Sequence, residues 1–181
     1  VPITADEKKY LKEGQYVSST SQEFDWDDYE EEEKRTQRPD DGGEFKGDSY
    51  IMPDGSRASN TWKKVSGKWY FFDSSGIRVK GWVQTGGRWY YMDQNGAMCT
   101  GWVSPDSHTW YYLNENGEMQ TGWVQPSPGS WYYLREDGLM KTGWLLDGER
   151  WYYLREDGTM AVDTTVDGWQ IGADGAAYLN P

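Results

Sequence analysis

Residues 81–100 read GWVQTGGRWYYMDQNGAMCT, placing two tryptophans and two tyrosines within twenty residues with almost no aliphatic side chain to pack against them. Near-copies of this text follow one another along the chain. The first tryptophan of each copy falls at Trp62, Trp82, Trp102, Trp123 and Trp144, and the second at Trp69, Trp89, Trp110, Trp131 and Trp151. A glycine stands seven residues after each second tryptophan, at Gly76, Gly96, Gly117, Gly138 and Gly158. Three markers thus share a period of 20 or 21 residues over five units, which is the signature of a repeat architecture.

Each unit carries the same local signals. The run WYYL or WYYM is rich in β-forming aromatics, and DQNG, NENG or REDG follows it, then a short run ending in TGW. Asn-Gly and Asp-Gly between two such runs are a strong hairpin signal, because both residues tolerate positive φ. The segments between the two tryptophans, such as VQTGGR and VQPSPGS, are rich in Gly, Pro and Ser and read as connecting loops. One unit is therefore expected to be a hairpin plus a loop. An isolated hairpin is marginal in water, whereas stacked hairpins bury a shared seam. The expected fold class is all-β: a repeat β-solenoid of successive hairpins, each rotated relative to the last.

The ends depart from the repeat. Residues 49–62, SYIMPDGSRASNTW, match the turn and second-strand half of a unit, with Tyr50 five residues before Gly55 as Tyr153 is five before Gly158. They read as a partial first hairpin. Residues 162–181 keep Trp169 and Gly175 but place Ile171 where the other units carry Tyr or Phe, and read as a degenerate cap. The repeat module is thus assigned to residues 44–181. Residues 1–43 are a different text, with thirteen acidic against six basic residues. A Thr4-x-x-Glu7 capping box, and Phe24, Trp26 and Tyr29 near one side of a second segment, fit short helices. The charge clusters fit an acidic linker equally well.

Composition narrows the function. Aromatics make up 17% of the 181 residues, with 12 Trp and 14 Tyr, while mean hydropathy is −0.95. The rings must therefore supply most of the buried apolar area. A net charge of −12 argues against nucleic acid and anionic membranes as partners, and no apolar run is long enough to span a bilayer. No secretion signal is read, and the opening Val1-Pro2-Ile3 suits a mature secreted form. Cys99 is the single cysteine and His108 the single histidine, so neither an internal disulfide nor a metal site is expected, and no cofactor is called for. His108, in SPDSHTW, reads as a loop residue.

Residues two apart in a strand share a face, so the Trp and second Tyr of WYYL point one way and the first Tyr and Leu the other. Two indoles and a phenol from adjacent units can form three walls of a small box, while half or more of the rings serve simply as core. Such a box suits a quaternary ammonium, which is drawn to ring faces and forms no hydrogen bonds to water, at about 0.5–2 kcal/mol per contact. Several boxes on one polymer would act together through effective concentration. Stacking on sugar rings is the other use of such platforms, and composition does not separate the two. The mild acidity of the array slightly favours a cation.

The pattern TGW-x6/7-WYYL-x-x-x-G-x-M-x-TGW over residues 80–160 closely resembles the choline-binding repeats of Gram-positive cell-wall proteins. More distantly, it is similar to the wall-binding repeats of clostridial toxins and the glucan-binding repeats of glucosyltransferases. The resemblance covers residues 44–181 and implies a left-handed solenoid of hairpins. It also implies choline held between consecutive units by two tryptophans of one and a tyrosine of the next, with a methionine nearby. Carried onto this chain, Trp62 and Trp69 would meet Tyr91, and Trp82 and Trp89 would meet Tyr112. Trp102 and Trp110 would meet Tyr133, and Trp123 and Trp131 would meet Tyr153. The choice of the second tyrosine rests on strand alternation, and the first tyrosine of each pair is the alternative. Met98, Met119, Met140 and Met160 fit either the floor of a box or a gap in the hairpin core. Arg78 stands where the other units carry methionine, and Ser-Asn-Thr precedes Trp62 in place of Thr-Gly. Trp144 and Trp151 face Ile171 in this alignment, so about four sites are expected and a fifth is not.

The resemblance implies a non-catalytic, extracellular, wall-associated module that anchors a surface protein through phosphocholine on teichoic or lipoteichoic acid. A glucan- or oligosaccharide-binding array is the alternative. An enzyme is disfavoured, because residues 1–43 are too short to form a catalytic cleft and Cys99 has no histidine near it in sequence. Strand edges left open at the ends of a solenoid offer a route to a homodimer through a terminal hairpin.

Overall fold

The computed structural model describes residues 42–179. The reading of residues 1–43 as short helices or linker falls, apart from Gly42 and Gly43, outside the described residues. From Glu44 onward, strands pair in sequence order as antiparallel hairpins. These are β1 (Glu44–Lys46) with β2 (Ser49–Ile51), β3 (Thr61–Val65) with β4 (Lys68–Phe72), and β5 (Gly81–Thr85) with β6 (Arg88–Met92). Next come β7 (Gly101–Val103) with β8 (Tyr111–Leu113), β9 (Gly122–Ser127) with β10 (Ser130–Leu134), and β11 (Gly143–Asp147) with β12 (Arg150–Leu154). The cap, β13 (Thr164–Val166), β14 (Trp169–Ile171) and β15 (Ala177–Leu179), joins the last hairpin in one sheet ordered β11-β12-β15-β14-β13. This is an all-β array of repeated hairpins in successive sheets.

The phase of the hairpin differs from the expectation. Strands pair across the segment between the two tryptophans, with Trp82 opposite Tyr91 and Thr85 opposite Arg88. Gly86 and Gly87, at φ 58° and 75°, form the two-residue tip, as Ser66 and Gly67 do at 51° and 76° between β3 and β4. Two consecutive positive φ values make the tight turn whose twist matches that of the strands. What reads in sequence as a connecting loop is therefore the hairpin tip. DQNG is instead the connection to the next hairpin. There Asp93 Oδ1 accepts from the amides of Asn95 and Ala97 at 2.7 and 2.9 Å, and only one bridge, Met92 to Met98, closes the loop.

The residue after that loop ties neighbouring hairpins together. Met98 N donates to Trp69 O of the preceding hairpin at 2.8 Å, while Cys99 N donates to Tyr91 O of its own at 2.8 Å. The same backward bond runs from Met119 to Trp89, Met140 to Trp110 and Met160 to Trp131. Each unit is thereby bonded to the one before it.

One apolar side chain per hairpin fills the interior. Phe72, Met92, Leu113, Leu134 and Leu154 are completely buried, and Ile171 continues the series at 2% exposure. Full burial of such a side chain contributes roughly 1.5–3 kcal/mol. At the leading end β1 supplies a first strand, and Tyr50, Ala58, Val65 and Phe72 form a buried cluster with Phe45 and Tyr70 against it.

Candidate functional site

Pairing fixes which rings share a face. Trp82 lies opposite Tyr91 and Gln84 opposite Trp89, so Trp82, Trp89 and Tyr91 project together toward the following hairpin. Tyr90 and Met92 project the other way, toward the preceding hairpin. Accordingly Tyr90 meets Trp62, with ring centroids 4.9 Å apart and planes at 67°. Tyr111 meets Trp82 at 4.8 Å, Tyr132 meets Trp102 at 4.7 Å, and Tyr152 meets Trp123 at 5.0 Å. The first tyrosine of each pair therefore crosses the junction.

The second tyrosines, assigned to this place from the sequence, stand elsewhere. Tyr91 lies 5.1 Å from Trp82, Tyr112 5.1 Å from Trp102, Tyr133 5.3 Å from Trp123 and Tyr153 5.1 Å from Trp144. Each is the cross-strand partner of the first tryptophan in its own hairpin. Strand alternation forbids them the preceding junction, because they share a face with their own indoles. They buttress each first tryptophan from behind.

In several hairpins the second indole stands nearly perpendicular to the first. Trp82 and Trp89 lie 6.4 Å apart at 85°, and Trp123 and Trp131 6.5 Å apart at 82°. Trp69, Trp89, Trp110, Trp131 and Trp151 keep 38–43% of their surface exposed, a large apolar area left in water. Cavities open between these walls. One of about 350 Å³ is lined by Trp62, Trp69, Tyr90 and Met98, and one of about 370 Å³ by Trp82, Trp89 and Met119. A third, of about 720 Å³, is lined by Trp102, Trp110, Tyr132 and Met140, with His108 of the longer β7–β8 loop beside it.

The methionines face both ways. Met98 lines the first cavity, and its Sδ and Cε lie where a Cβ on Gly117 would fall. The glycine of the next connection is thus required twice, by its φ of 79° and by the close approach of the thioether. Met119, Met140 and Met160 press on Gly138, Gly158 and Gly175 in the same way.

The last junction is also closed. Trp169 stands two residues before the buried Ile171, as Tyr152 stands two before Leu154. Its ring lies 6.2 Å from Trp144, which in turn lies 6.4 Å from Trp151. Ile171 therefore continues the buried column and does not face Trp144. Asp167 Oδ2 accepts from Trp144 Nε1 at 2.9 Å, repeating the bond from Trp123 to Asp147 one junction earlier. The spacing carried the signal: Trp169 precedes Gly175 by six residues, the offset of a first tyrosine rather than of a second tryptophan.

The leading junction is built differently. Phe45, Asp48 and Tyr70 take the places of the two indoles and the crossing tyrosine, and Arg78 that of the methionine. The Arg78 guanidinium lies 5.0 Å from the Phe45 centroid, 5.8 Å from that of Tyr70 and 2.8 Å from the Asp48 carboxylate. Hydrogen bonds from Arg78 and then Lys80 hold the Asp48 carboxyl below its ordinary range. A cation of the protein's own fills this junction.

A family model described as the choline-binding repeat matches residues 59–101, 79–122, 99–137 and 120–164. The chain belongs to the choline-binding repeat family. Its repeats superpose on choline-binding protein F (CbpF) of Streptococcus pneumoniae with a TM-score of 0.66 at 44% identity, over 72% of this chain and 42% of CbpF in a complex with ipratropium. The choline-binding domain of CbpL from Streptococcus pneumoniae matches at 33% identity and a TM-score of 0.64, over 75% of this chain and 74% of that domain. The modular autolysin LytC of Streptococcus pneumoniae matches at 28% identity and a TM-score of 0.65, over 75% of this chain and 32% of LytC. This chain thus spans less than half of CbpF and about a third of LytC. No curated protein sequence matches it significantly. The structures this chain resembles thus include both choline-binding proteins and a modular autolysin.

Proposed function

We propose that this chain is a non-catalytic module that anchors a surface protein to the cell wall by binding the choline of phosphocholine-bearing teichoic or lipoteichoic acid in boxes between consecutive hairpins. The observation that carries this reading is the near-perpendicular arrangement of the rings. Trp82 meets Trp89 at 85° and Tyr111 at 68°, so the walls enclose a compact group on several sides. A sugar ring is better served by one flat, open face, whereas a trimethylammonium presents methyl groups in every direction to ring faces of negative potential. Membership in the choline-binding repeat family supports the same ligand.

The proposed ligand walls are Trp62, Trp69 and Tyr90; Trp82, Trp89 and Tyr111; Trp102, Trp110 and Tyr132; Trp123, Trp131 and Tyr152; and Trp144, Trp151 and Trp169. Met98, Met119, Met140 and Met160 serve as floors. The count becomes five boxes. CbpF has also been crystallised in the presence of a peptidoglycan analogue, in keeping with a location at the wall. The outer edge of β13 is where a second copy would add to form a homodimer.

Choline chloride titrated into the protein should quench tryptophan fluorescence and saturate at five equivalents. It should also elute the protein from choline-bearing walls. Retention on dextran with no response to millimolar choline would overturn the reading in favour of the glycan alternative.

A further inference from the structure

The cavities draw on a third hairpin. The cavity between the Trp62 and Trp82 hairpins is lined also by Glu115, which lies in the connection following β8. The next is lined by Glu136 from the connection following β10, and the third by Glu156 from that following β12. In each case the connection of the hairpin two places on folds back over the junction.

These glutamates occupy one repeat position, the second residue of NENG, REDG and REDG. The equivalent residues in the other connections are Pro53, Ser74, Gln94 and Ala173. Among these, Gln94 belongs to the hairpin two places after the leading one, whose junction is already filled by Arg78. Carboxylates at this position thus coincide with the three junctions that combine open aromatic walls with a full repeat two places ahead. Their neighbours are engaged: Asp137 pairs with Arg135 at 2.8 Å, and Asp157 Oδ1 accepts from Thr159 N at 2.9 Å. Glu115, Glu136 and Glu156 make no ion pair or hydrogen bond among the described residues and are exposed at the cavity rim.

A turn residue needs no carboxylate for backbone reasons at this place, since Ser74 and Gln94 serve in the same loop. We infer that Glu115, Glu136 and Glu156 are specificity-determining residues, each supplying negative charge from a third hairpin to a box that takes a quaternary ammonium. The aromatic faces already favour a cation over a neutral group of the same shape. A rim carboxylate adds an attraction that only the charged ligand experiences, and one that salt screens. Each rimmed box therefore binds cations more tightly, and with steeper salt dependence, than the same box would without its glutamate.

The inference rests on the proposed choline reading, and the test separates the two. The full chain and the triple variant Glu115→Gln, Glu136→Gln, Glu156→Gln are titrated by calorimetry with choline chloride and with its neutral carbon isostere, 3,3-dimethyl-1-butanol, at low and high NaCl. The variant should bind choline about two- to fivefold more weakly at three of its boxes, with a flatter salt dependence and unchanged affinity for the isostere. Ala173→Glu should raise choline affinity at the Trp123 box by a similar factor. Choline affinity and salt dependence equal to those of the parent would overturn the inference while leaving the choline reading intact. A parent chain that binds no choline would overturn both.

Discussion

The phenol of Tyr90 lies 4.9 Å from the indole of Trp62 in the hairpin before it, while the adjacent Tyr91 lies 5.1 Å from Trp82 in its own. Two neighbours in sequence thus serve different junctions. Tyr132→Ala should weaken choline binding at the Trp102 box by the loss of one wall, about 0.5–2 kcal/mol, and leave the other boxes unchanged. Tyr133→Ala should instead shift the Trp123 box, whose indole it supports. Site-resolved NMR of the indole N–H signals reads the difference, and an equal effect of both variants on the Trp102 box would contradict it.

Trp169 closes the last junction. Trp169→Ala should reduce the number of choline equivalents from five to four, whereas Trp169→Tyr should preserve five, because the tyrosine restores the ring found at the other four crossings. Equilibrium dialysis gives the count. Four equivalents in the parent chain would show that three indoles do not make a working box.

Much of this was legible from spacing alone. The recurrence of Trp and Gly at 20 or 21 residues requires an array, and no tertiary knowledge is needed to see it. The phase of the hairpin was not legible, because each unit contains two sets of turn residues, GG-type and DQNG-type, and both satisfy the local rules. Which one joins paired strands is decided by the next hairpin, whose neighbour bonds through Met98 N and leaves DQNG only one bridge. The tyrosine choice failed for a related reason. Alternation correctly separated Tyr90 from Tyr91, but the direction of each face depends on where the preceding hairpin lies. The rim glutamates were invisible for the same cause, since they act on a box two hairpins behind.

Gly117→Ala should destabilise the array by about 2–4 kcal/mol, combining a left-handed backbone at φ 79° with overlap between the new methyl and Met98. Adding Met98→Ala should recover the overlap part and not the backbone part. Urea denaturation of the two single variants and the double variant measures the coupling. Strict additivity would show that the methyl finds room without the thioether moving.

Leu134→Ala removes a completely buried side chain and should cost about 2–5 kcal/mol. Millimolar choline should raise the melting temperature of both parent and variant, because a ligand held between two hairpins binds only when both are folded. Calorimetric melts with and without choline test this, and a ligand-insensitive melting temperature would argue against binding between hairpins.

The leading junction should be acid-sensitive. Asp48 is held below the ordinary carboxylate range by Arg78 and Lys80, so its contribution is present at neutral pH and is lost as pH falls through its lowered folded value. Melting temperature followed below pH 4 should fall less steeply in Asp48→Asn than in the parent. Parallel curves would show that the Arg78 contact does not depend on the carboxylate.

No box belongs to one repeat: its indoles and crossing ring come from two successive hairpins, and three of the five boxes take a rim from a third. Excision of one 20- or 21-residue period would nonetheless remove one box, and not three. If the Trp82 unit were lost, the face of Trp62 and Trp69 would meet Tyr111 in place of Tyr90, and Glu136 would take the station of Glu115. The cut heals wherever within the period it falls. Gene segments of this length can therefore be gained or lost with the number of boxes changing in single steps, so that valence can evolve by counting rather than by redesign.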